Sequence, residues 1–416
     1  MNYNKINILG VNISTLNKKE AIKKIEQFLF SGKDGQYQIV TPNPEFLLQA
    51  QKDEEFFHIL NTADLAAPDG IGLKFAGWLM GKNITRIAGA DLVKDILNIA
   101  QEKNLKVMVI NWNEGLSDAD DIKNTVKNKY PNLFLQVRDI ERENAMADLE
   151  RIKAFAPDIL MSSLGAPWQE KFIYHNLPNL PSVKLGIGAG GAFDFLTGRI
   201  KRAPKLFRVL GLEWLWRLLK QPWRIKRIYN AVMVFPFEFF KWRFLLPFIY
   251  RQNVACILYK KVIKLAATNG DHANKTKGGK YKILLVLREE DPNHWQLPQG
   301  GIDGEDVKTA GARELREELN TDKFKIIKTF KNVYKYKFSD QIGKYGTQKG
   351  TALGYKGQRQ SLVIAEFLGQ DSDIEVNFWD HSGWKWVNSE QVISQVFPIR
   401  RDAIKIFLEK FDNIDK

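Results

Sequence analysis

Cysteine occurs once in the 416 residues, as Cys256, so a framework of disulfides within the chain is excluded. A cytoplasmic setting fits that usage. No run of about 18 uncharged apolar residues occurs, so no membrane-spanning helix is expected. The opening MNYNKINILGVNIS lacks the charged start, apolar stretch and small-residue cleavage site of a secretory leader. There is no internal repeat. Acidic residues are nearly absent from one region. Between Arg199 and Lys261, fifteen Lys or Arg stand against only Glu213 and Glu238, a net +13. The whole chain carries +14, so the remainder is close to neutral. A local patch of that kind predicts a docking surface for something anionic.

What is present is globular: 44% hydrophobic and 26% charged residues, in a chain too long for one ordinary core. Residues 1–203 alternate between strand and helix patterns. Candidate strands are Tyr37–Thr41, Asp64–Ala67, Leu105–Ile110, Leu133–Val137, Asp158–Ser163 and Val183–Ile187. Amphipathic helical patterns such as Glu45–Leu60 and Ala90–Glu102 lie between them. This alternation predicts an α/β domain with a largely parallel sheet. Residues 204–250 interleave thirteen aromatics with the basic residues, and Pro222, Pro236 and Pro247 are expected to break them into short helical pieces. Residues 251–416 form a third region. There NVACILYKKVIKL and KILLVL, joined by a polar loop, predict a long hairpin.

Several polar or Gly-rich segments each follow a predicted strand: Thr41-Pro-Asn43-Pro-Glu45, Pro68-Asp69-Gly70, Gly165-Ala-Pro-Trp-Gln169-Glu170 and Gly186-Ile-Gly188-Ala-Gly190-Gly191. Ligands of open α/β sheets bind beyond the carboxyl ends of strands. A Gly-rich turn that opens a helix lets backbone N–H groups approach a diphosphate. From the local sequence alone, Asp69 reads first as a turn residue in a Pro-Asp-Gly bend. Asp118-Ala-Asp120 has the form of a metal-binding DxD, but it sits in the acidic run SDADD, which reads as a solvated helix start.

The ordered blocks TPNPEFLLQAQ, APDGIGL, RIAGADL, GAPWQEKFI, GIGAGGAFDFLTGRIKRAPK and GLEWLWRLLKQPWRIKR resemble the WecG/TagA/CpsF family over about residues 5–230. That resemblance implies sugar transfer from a UDP-sugar, often N-acetylmannosamine or its uronic acid. The acceptor it implies is a polyprenyl-diphosphate-linked N-acetylglucosamine, with inversion and without a metal. It makes Asp69 the general base. It places Thr41, Asn43, Arg86 and Gln169 in the same pocket, with Gly188, Gly190 and Gly191 as its glycine turn. Arg217, Arg224 and Arg227 then match the family's arginines, suited to diphosphate and to charge on the leaving UDP. The basic aromatic segment is expected to lie on an anionic membrane surface, although packed core helices and a nucleic-acid patch are alternative readings.

The sharpest local motif runs from Trp295 through Gln-Leu-Pro-Gln-Gly300-Gly301-Ile-Asp-Gly-Glu305 to Arg313-Glu314-Leu-Arg-Glu317-Glu318. On a helix, Glu314, Glu317 and Glu318 fall at i, i+3 and i+4 and share a side. Close carboxylates call for a cation, and hard oxygen ligands suit Mg²⁺ or Mn²⁺. The motif resembles a Nudix box. WQLPQGG, KGQRQSLVIAEF and GWKWVNSEQV are similar to bacterial RNA pyrophosphohydrolases and dinucleoside-polyphosphate hydrolases. The loop from Gly300 to Glu305 is one residue short of the usual box, and Asn320 stands where Gly is usual. The resemblance implies hydrolysis of a nucleotide polyphosphate or capped nucleotide. Gly300, Gly301 and Arg313 are then substrate-binding, Glu317 and Glu318 catalytic, and Glu314, Glu317 and Glu318 metal ligands. Arg359 and Gln360 are candidates for phosphate or nucleobase contact, or a polar pair at a strand edge.

The sequence therefore predicts an α/β glycosyltransferase domain (1–203), a helical basic appendage (204–250) and an α/β Nudix domain (251–416) with a mixed sheet sandwiched by helices. The two activities would sit in one cytoplasmic protein, peripheral on the inner membrane face, with homo-oligomerisation left open. A rival reading makes the Nudix domain an inactive nucleotide sensor that regulates the transferase. Another makes the basic patch an RNA-binding surface.

Overall fold

The computed structural model describes residues 4–30, 35–142, 149–204, 207, 213–220, 222–262, 280–289, 291–338 and 353–414. The chain forms two compact units, Met1–Arg243 and Phe244–Lys416.

In the first unit a six-stranded parallel sheet runs in the order β4-β3-β8-β7-β5-β6. Its strands are β3 (Tyr37–Val40), β4 (Leu65–Ala66), β5 (Lys106–Trp112), β6 (Phe134–Ile140), β7 (Ile159–Ser163) and β8 (Leu185–Gly188). The central strands β5, β7 and β8 are near-continuous buried runs, because helices cover both faces. Val107, Val109, Ile159 and Met161 point into one core with the helices Lys18–Phe30 and Gly89–Glu102. Met108, Ile110 and Leu160 point into the other, with Trp168–Asn176. Each fully buried side chain of this size contributes about 2 kcal/mol, so layer packing rather than helix propensity holds the unit together. A small hairpin, β1 (Lys5–Ile8) with β2 (Val11–Ser14), precedes the sheet. It turns on Leu9 and Gly10, both at positive φ, 50° and 84°.

Two helical expectations are corrected. The pattern Glu45–Leu60 is two helices, Pro44–Ala50 and Glu54–Thr62. Asp53 starts the second by accepting the Phe56 N–H at 2.9 Å, and that cap competes with continuing the first helix. Pro236 does not interrupt the appendage. Ile225–Tyr229, a π turn at Asn230–Val234 and Phe235–Phe240 follow without a break. The wider π turn just before the proline accommodates its ring and its missing N–H.

The second unit is a mixed sheet in the order β11-β10-β9-β14-β13, with β12 on β9 and β15 on β10. Its strands are β9 (Tyr250–Lys261), β10 (Tyr281–Arg288), β11 (Trp295–Gln296), β12 (Gln299–Gly301), β13 (Phe324–Lys337), β14 (Gly357–Phe367) and β15 (His381–Asn388). The expected hairpin is present as antiparallel β9 and β10, with Tyr281 opposite Lys261. Its connecting residues 263–279 lie outside the described residues. Along β9, Val254, Cys256 and Leu258 face the helix Val307–Leu319. The alternate residues Ala255, Ile257 and Tyr259 face the helix Arg401–Phe411. The sheet is thus sandwiched by helices.

Candidate functional site

The first site lies where the sheet's carboxyl ends meet. Thr41 and Asn43 follow β3, Asp69 follows β4, and the 188–191 turn follows β8, which pairs with β3. Asp69 donates its N–H to the Pro42 carbonyl at 2.8 Å. Its carboxylate accepts the Gly89 N–H at 3.1 Å and the Arg86 Nε–H at 3.3 Å. Gly89 opens the helix Gly89–Glu102, so the carboxylate sits at a helix N-terminus, where negative charge is favoured. A Cβ on Gly89 would lie 3.2 Å from Thr41 Oγ1, which shows how tightly Thr41 closes on this turn. Asp69 keeps 30% of its side chain exposed, so a substrate hydroxyl can reach it. Asn43 is occupied structurally: its Oδ1 accepts the Glu45 and Phe46 N–H groups at 2.9 and 3.1 Å and caps the helix Pro44–Ala50.

Across β8, Gln169 shapes the glycine turn. Its Oε1 accepts the Gly190 N–H at 3.0 Å, and its Nε2 donates to Glu170 Oε1 at 2.6 Å. The Gly190 amide expected to face a diphosphate is thus held by Gln169. Gly188 must be glycine for close approach, since a Cβ there would lie 2.5 Å from Gln169 Nε2. Gly191 precedes the short helix Ala192–Thr197. The appendage also reaches this region. Arg227 donates Nε–H to Glu45 at 2.9 Å, beside Asn43. The positive charge of Arg224 acts on Asp194. Arg217 lies on the helix Glu213–Lys220, and its side chain is outside the described residues. Asp118 is the N-cap of the helix Ala119–Lys129, accepting the Asp121 N–H at 2.7 Å.

Three residues here escaped the sequence reading. Asp194 accepts from Ser117 Oγ at 2.8 Å, and burial raises its pKa. Asp91 forms a bidentate pair with Arg202, the Nη2–Oδ2 contact at 2.9 Å. Glu170 is fully buried, and its Oε2 has no hydrogen-bond partner among the described residues. Burial raises the Glu170 pKa to about 8, against the opposing hydrogen bond from Gln169. With the folded value above the ordinary 4.5, stability from protonated Glu170 is complete below pH 4.5 and lost as pH rises toward about 8. The slope is roughly 1.4 kcal/mol per pH unit inside that window. Glu170→Gln keeps an acceptor for Gln169 and carries no charge. Its melting temperature should exceed the parent's above that window, and its pH profile within the window should be flatter. Parallel profiles for the two proteins would remove Glu170 as the cause.

The second site is built on the helix Val307–Leu319. Asp306 caps it, accepting the Lys308 N–H at 2.9 Å. The shortened loop closes through Asp303 and Gly304, at φ 46° and 86°, with Glu305 N–H returning to the Ile302 carbonyl at 2.9 Å. Asn320 ends the helix at φ 47°, the left-handed position where glycine is usual. Glu314 and Glu318 are one turn apart and buried, above Cys256, whose thiol pKa is raised by burial and by both carboxylates. Glu317 differs from them in exposure. Its side chain is 50% exposed and accepts Arg313 Nη1–H at 2.9 Å. The same nitrogen donates to Glu314 at 2.8 Å, while Arg313 Nε–H reaches Glu305 at 2.9 Å and Nη2–H the Gly301 carbonyl at 2.7 Å. Burial opposes the charge on Arg313, but these carboxylates overcome it and raise its pKa. Glu318 accepts the Gln299 N–H at 3.2 Å, and Gln299 accepts Gln360 Nε2–H at 2.8 Å. Gln360 therefore joins the site, whereas Arg359 alternates to the other face of β14.

Among the described residues no three His, Cys, Asp or Glu side chains gather closely enough to hold an ion. The donor set nonetheless fits Mg²⁺ or Mn²⁺. Two buried carboxylates lie together, and Gly300 leaves them room, since a Cβ there would fall 1.8 Å from Glu314 Oε2. Glu317, which shares Arg313 Nη1–H with Glu314, would be the third donor.

The pattern of the glycosyl transferase WecG/TagA/CpsF family matches residues 6–247, and that of the NUDIX domain matches residues 274–409. A Bacillus subtilis (strain 168) protein called N-acetylglucosaminyldiphosphoundecaprenol N-acetyl-beta-D-mannosaminyltransferase is 34% identical over 192 residues, covering 46% of this chain and 74% of that relative. A Staphylococcus aureus (strain MW2) protein of the same name is 28% identical over 242 residues, covering 57% of this chain and 92% of that relative. Among solved structures, a C. elegans Ap4A hydrolase complex is 21% identical and covers 39% of this chain and 98% of its own, with a TM-score of 0.26. The E. coli dihydroneopterin triphosphate pyrophosphohydrolase is 18% identical, covers 39% of this chain and 99% of its own, and has a TM-score of 0.27. With the first of these patterns covering more than half of its length, this chain belongs to the WecG/TagA/CpsF glycosyltransferase family, and it carries a Nudix domain in its C-terminal part.

Proposed function

We propose that the first unit transfers an N-acetylmannosamine-type sugar, with inversion, from a UDP-sugar to a polyprenyl-diphosphate-linked N-acetylglucosamine. The observation that carries this is the partly exposed Asp69 carboxylate, pinned by the Gly89 N–H and Arg86 at the sheet's carboxyl end. In that role Asp69 takes the proton from the attacking acceptor hydroxyl. Its two hydrogen bonds fix the carboxylate's direction before the acceptor arrives. Arg86, Arg224 and Arg227 supply positive charge for diphosphate groups, which suits leaving-group stabilisation by guanidinium. The names of the two bacterial relatives support both sugar and acceptor. The acceptor's lipid supports a peripheral location on the inner membrane face. No described helix is long and apolar enough to cross a membrane.

In the same proposal the Nudix domain hydrolyses a nucleoside-diphosphate-linked compound such as a nucleotide polyphosphate or capped nucleotide. Glu314, Glu318 and Glu317 would hold Mg²⁺ or Mn²⁺, which when bound stabilises charge developing on the phosphates. Arg313 buttresses the carboxylates, and Gln299 and Gln360 present amides beside them. The hold of Arg313 on Glu314 and Glu317 favours a second reading, a nucleotide sensor without hydrolysis. The test is a screen of UDP-sugars with the lipid-linked acceptor, and of nucleotide polyphosphates with divalent cations, on the full chain. Transfer from UDP-N-acetylmannosamine together with hydrolysis of a nucleotide to a nucleoside monophosphate and its phosphorylated partner is the expected result. Nucleotide binding without hydrolysis would favour the sensor, and no transfer from any UDP-sugar would overturn the transferase assignment.

A further inference from the structure

The helix Ile71–Leu79, which begins two residues after Asp69, is built the wrong way round for a soluble protein. Its buried face carries Leu73, Ala76 and Gly77, while the larger apolar side chains face outward. Ile71, Phe75, Trp78 and Leu79 are exposed by 43, 52, 69 and 43%. Their spacing of i, i+4, i+7 and i+8 makes one continuous stripe. No acid occurs in this helix, and Lys74 lies on its exposed side. A single exposed Leu needs no explanation, but a contiguous aromatic stripe of this size marks an interaction surface.

A second stripe adjoins it. The helix Phe235–Phe240 packs against Ile71–Leu79, and a Cβ on Gly72 would come within 3.4 Å of the Phe235 ring. On the outward side of this segment, Tyr229, Met233 and Phe237 are exposed by 58, 60 and 66%. Lys226 and Arg243 are exposed there too, and the one acid, Glu238, is paired with Lys241 at 3.1 Å. The surface is therefore apolar at its centre, cationic at its rim and almost without free acid.

We propose that the helix Ile71–Leu79 is a membrane-inserting element of the catalytic domain itself, seating the Asp69 carboxylate at the surface of an anionic bilayer. Trp and Phe suit the interface between headgroups and acyl chains, and lysines beside them meet anionic headgroups. A second copy of the chain is the poorer occupant. A symmetric contact would press two acid-poor cationic faces together, and like charges across an interface are repulsive. Because the helix starts two residues past Asp69, its depth in the bilayer sets the height of the general base. An acceptor whose diphosphate sits at the headgroup level is then presented to Asp69 without leaving the membrane. This inference rests on the transferase reading for its purpose, but not for the binding itself.

The test uses the full chain and the variant Phe75→Ser/Trp78→Ser, with circular dichroism to confirm its fold. Co-sedimentation with phosphatidylglycerol-containing vesicles should fall by about tenfold or more in the variant. Binding of the parent should weaken on pure phosphatidylcholine and in raised salt. Transfer to an acceptor embedded in vesicles should drop with binding, while transfer to a short-chain, water-soluble acceptor should be unchanged. Loss of vesicle binding in a preparation with no transferase activity would support the membrane element and sink the transferase reading. Vesicle binding equal to the parent's would overturn the proposal. So would a variant whose only change is in the oligomer mass measured by light scattering, which would assign the face to self-association.

Discussion

Asp69→Asn should abolish sugar transfer, lowering turnover by about a hundredfold to ten-thousandfold while UDP-sugar affinity stays close to the parent's. Asparagine retains an oxygen for the Gly89 N–H, so the turn at the end of β4 should survive. What it loses is the charge paired with Arg86 and the ability to accept a proton. A group that acts in the chemical step depresses turnover rather than ground-state binding. Donor binding by calorimetry, set against turnover with the lipid-linked acceptor, separates the two. Near-normal turnover would return Asp69 to the role of a turn residue in a Pro-Asp-Gly bend.

The second large effect concerns Glu318. Its Oε2 accepts the Gln299 N–H, and Gln in its place keeps an oxygen there while removing a charge from the buried pair with Glu314. Pyrophosphate hydrolysis should fall by about a hundredfold or more, and the concentration of Mg²⁺ needed for half-maximal rate should rise. EDTA should stop hydrolysis by the parent and leave sugar transfer intact. A Glu318→Gln protein that hydrolyses at the parent rate would leave the helix Val307–Leu319 as a solvated acidic face. Glu317 should be more tolerant than Glu318 in one respect: its exposed carboxylate is held only at the flank, so its loss should cost less stability.

Much of this was legible in the sequence, and what was not has a common physical cause. Strand positions could be read because the parallel strands are buried on both faces and appear as apolar runs, as in VMVI of β5. The loops that gather at the carboxyl ends could be read because Pro, Gly and Asp follow those runs directly. Glu170 could not. Nothing local distinguishes it from a solvated glutamate at a helix start, and its burial arises from β8 packing over Trp168–Asn176. The grip of Gln169 on Gly190 spans 21 residues and belongs to the fold rather than to either segment. Glu317 sits on the expected helix, yet helical spacing alone does not say that Arg313, one turn earlier, would bridge it to Glu314 while leaving it half-exposed. Pro236 looked like a helix breaker because a π turn upstream has no signature in composition. The stripe on Ile71–Leu79 reads as an ordinary buried helix until Phe75 and Trp78 are seen to be exposed.

That one chain holds two independent chemistries is tested most directly by a crossed assay. The full-length parent, Asp69→Asn and Glu318→Gln are each measured for transfer to the lipid-linked acceptor and for nucleotide pyrophosphate hydrolysis, with and without EDTA. Asp69→Asn should lose only transfer, Glu318→Gln should lose only hydrolysis, and EDTA should behave like Glu318→Gln. A single substitution that stopped both reactions in a folded protein would contradict the two-site account and require a shared substrate path.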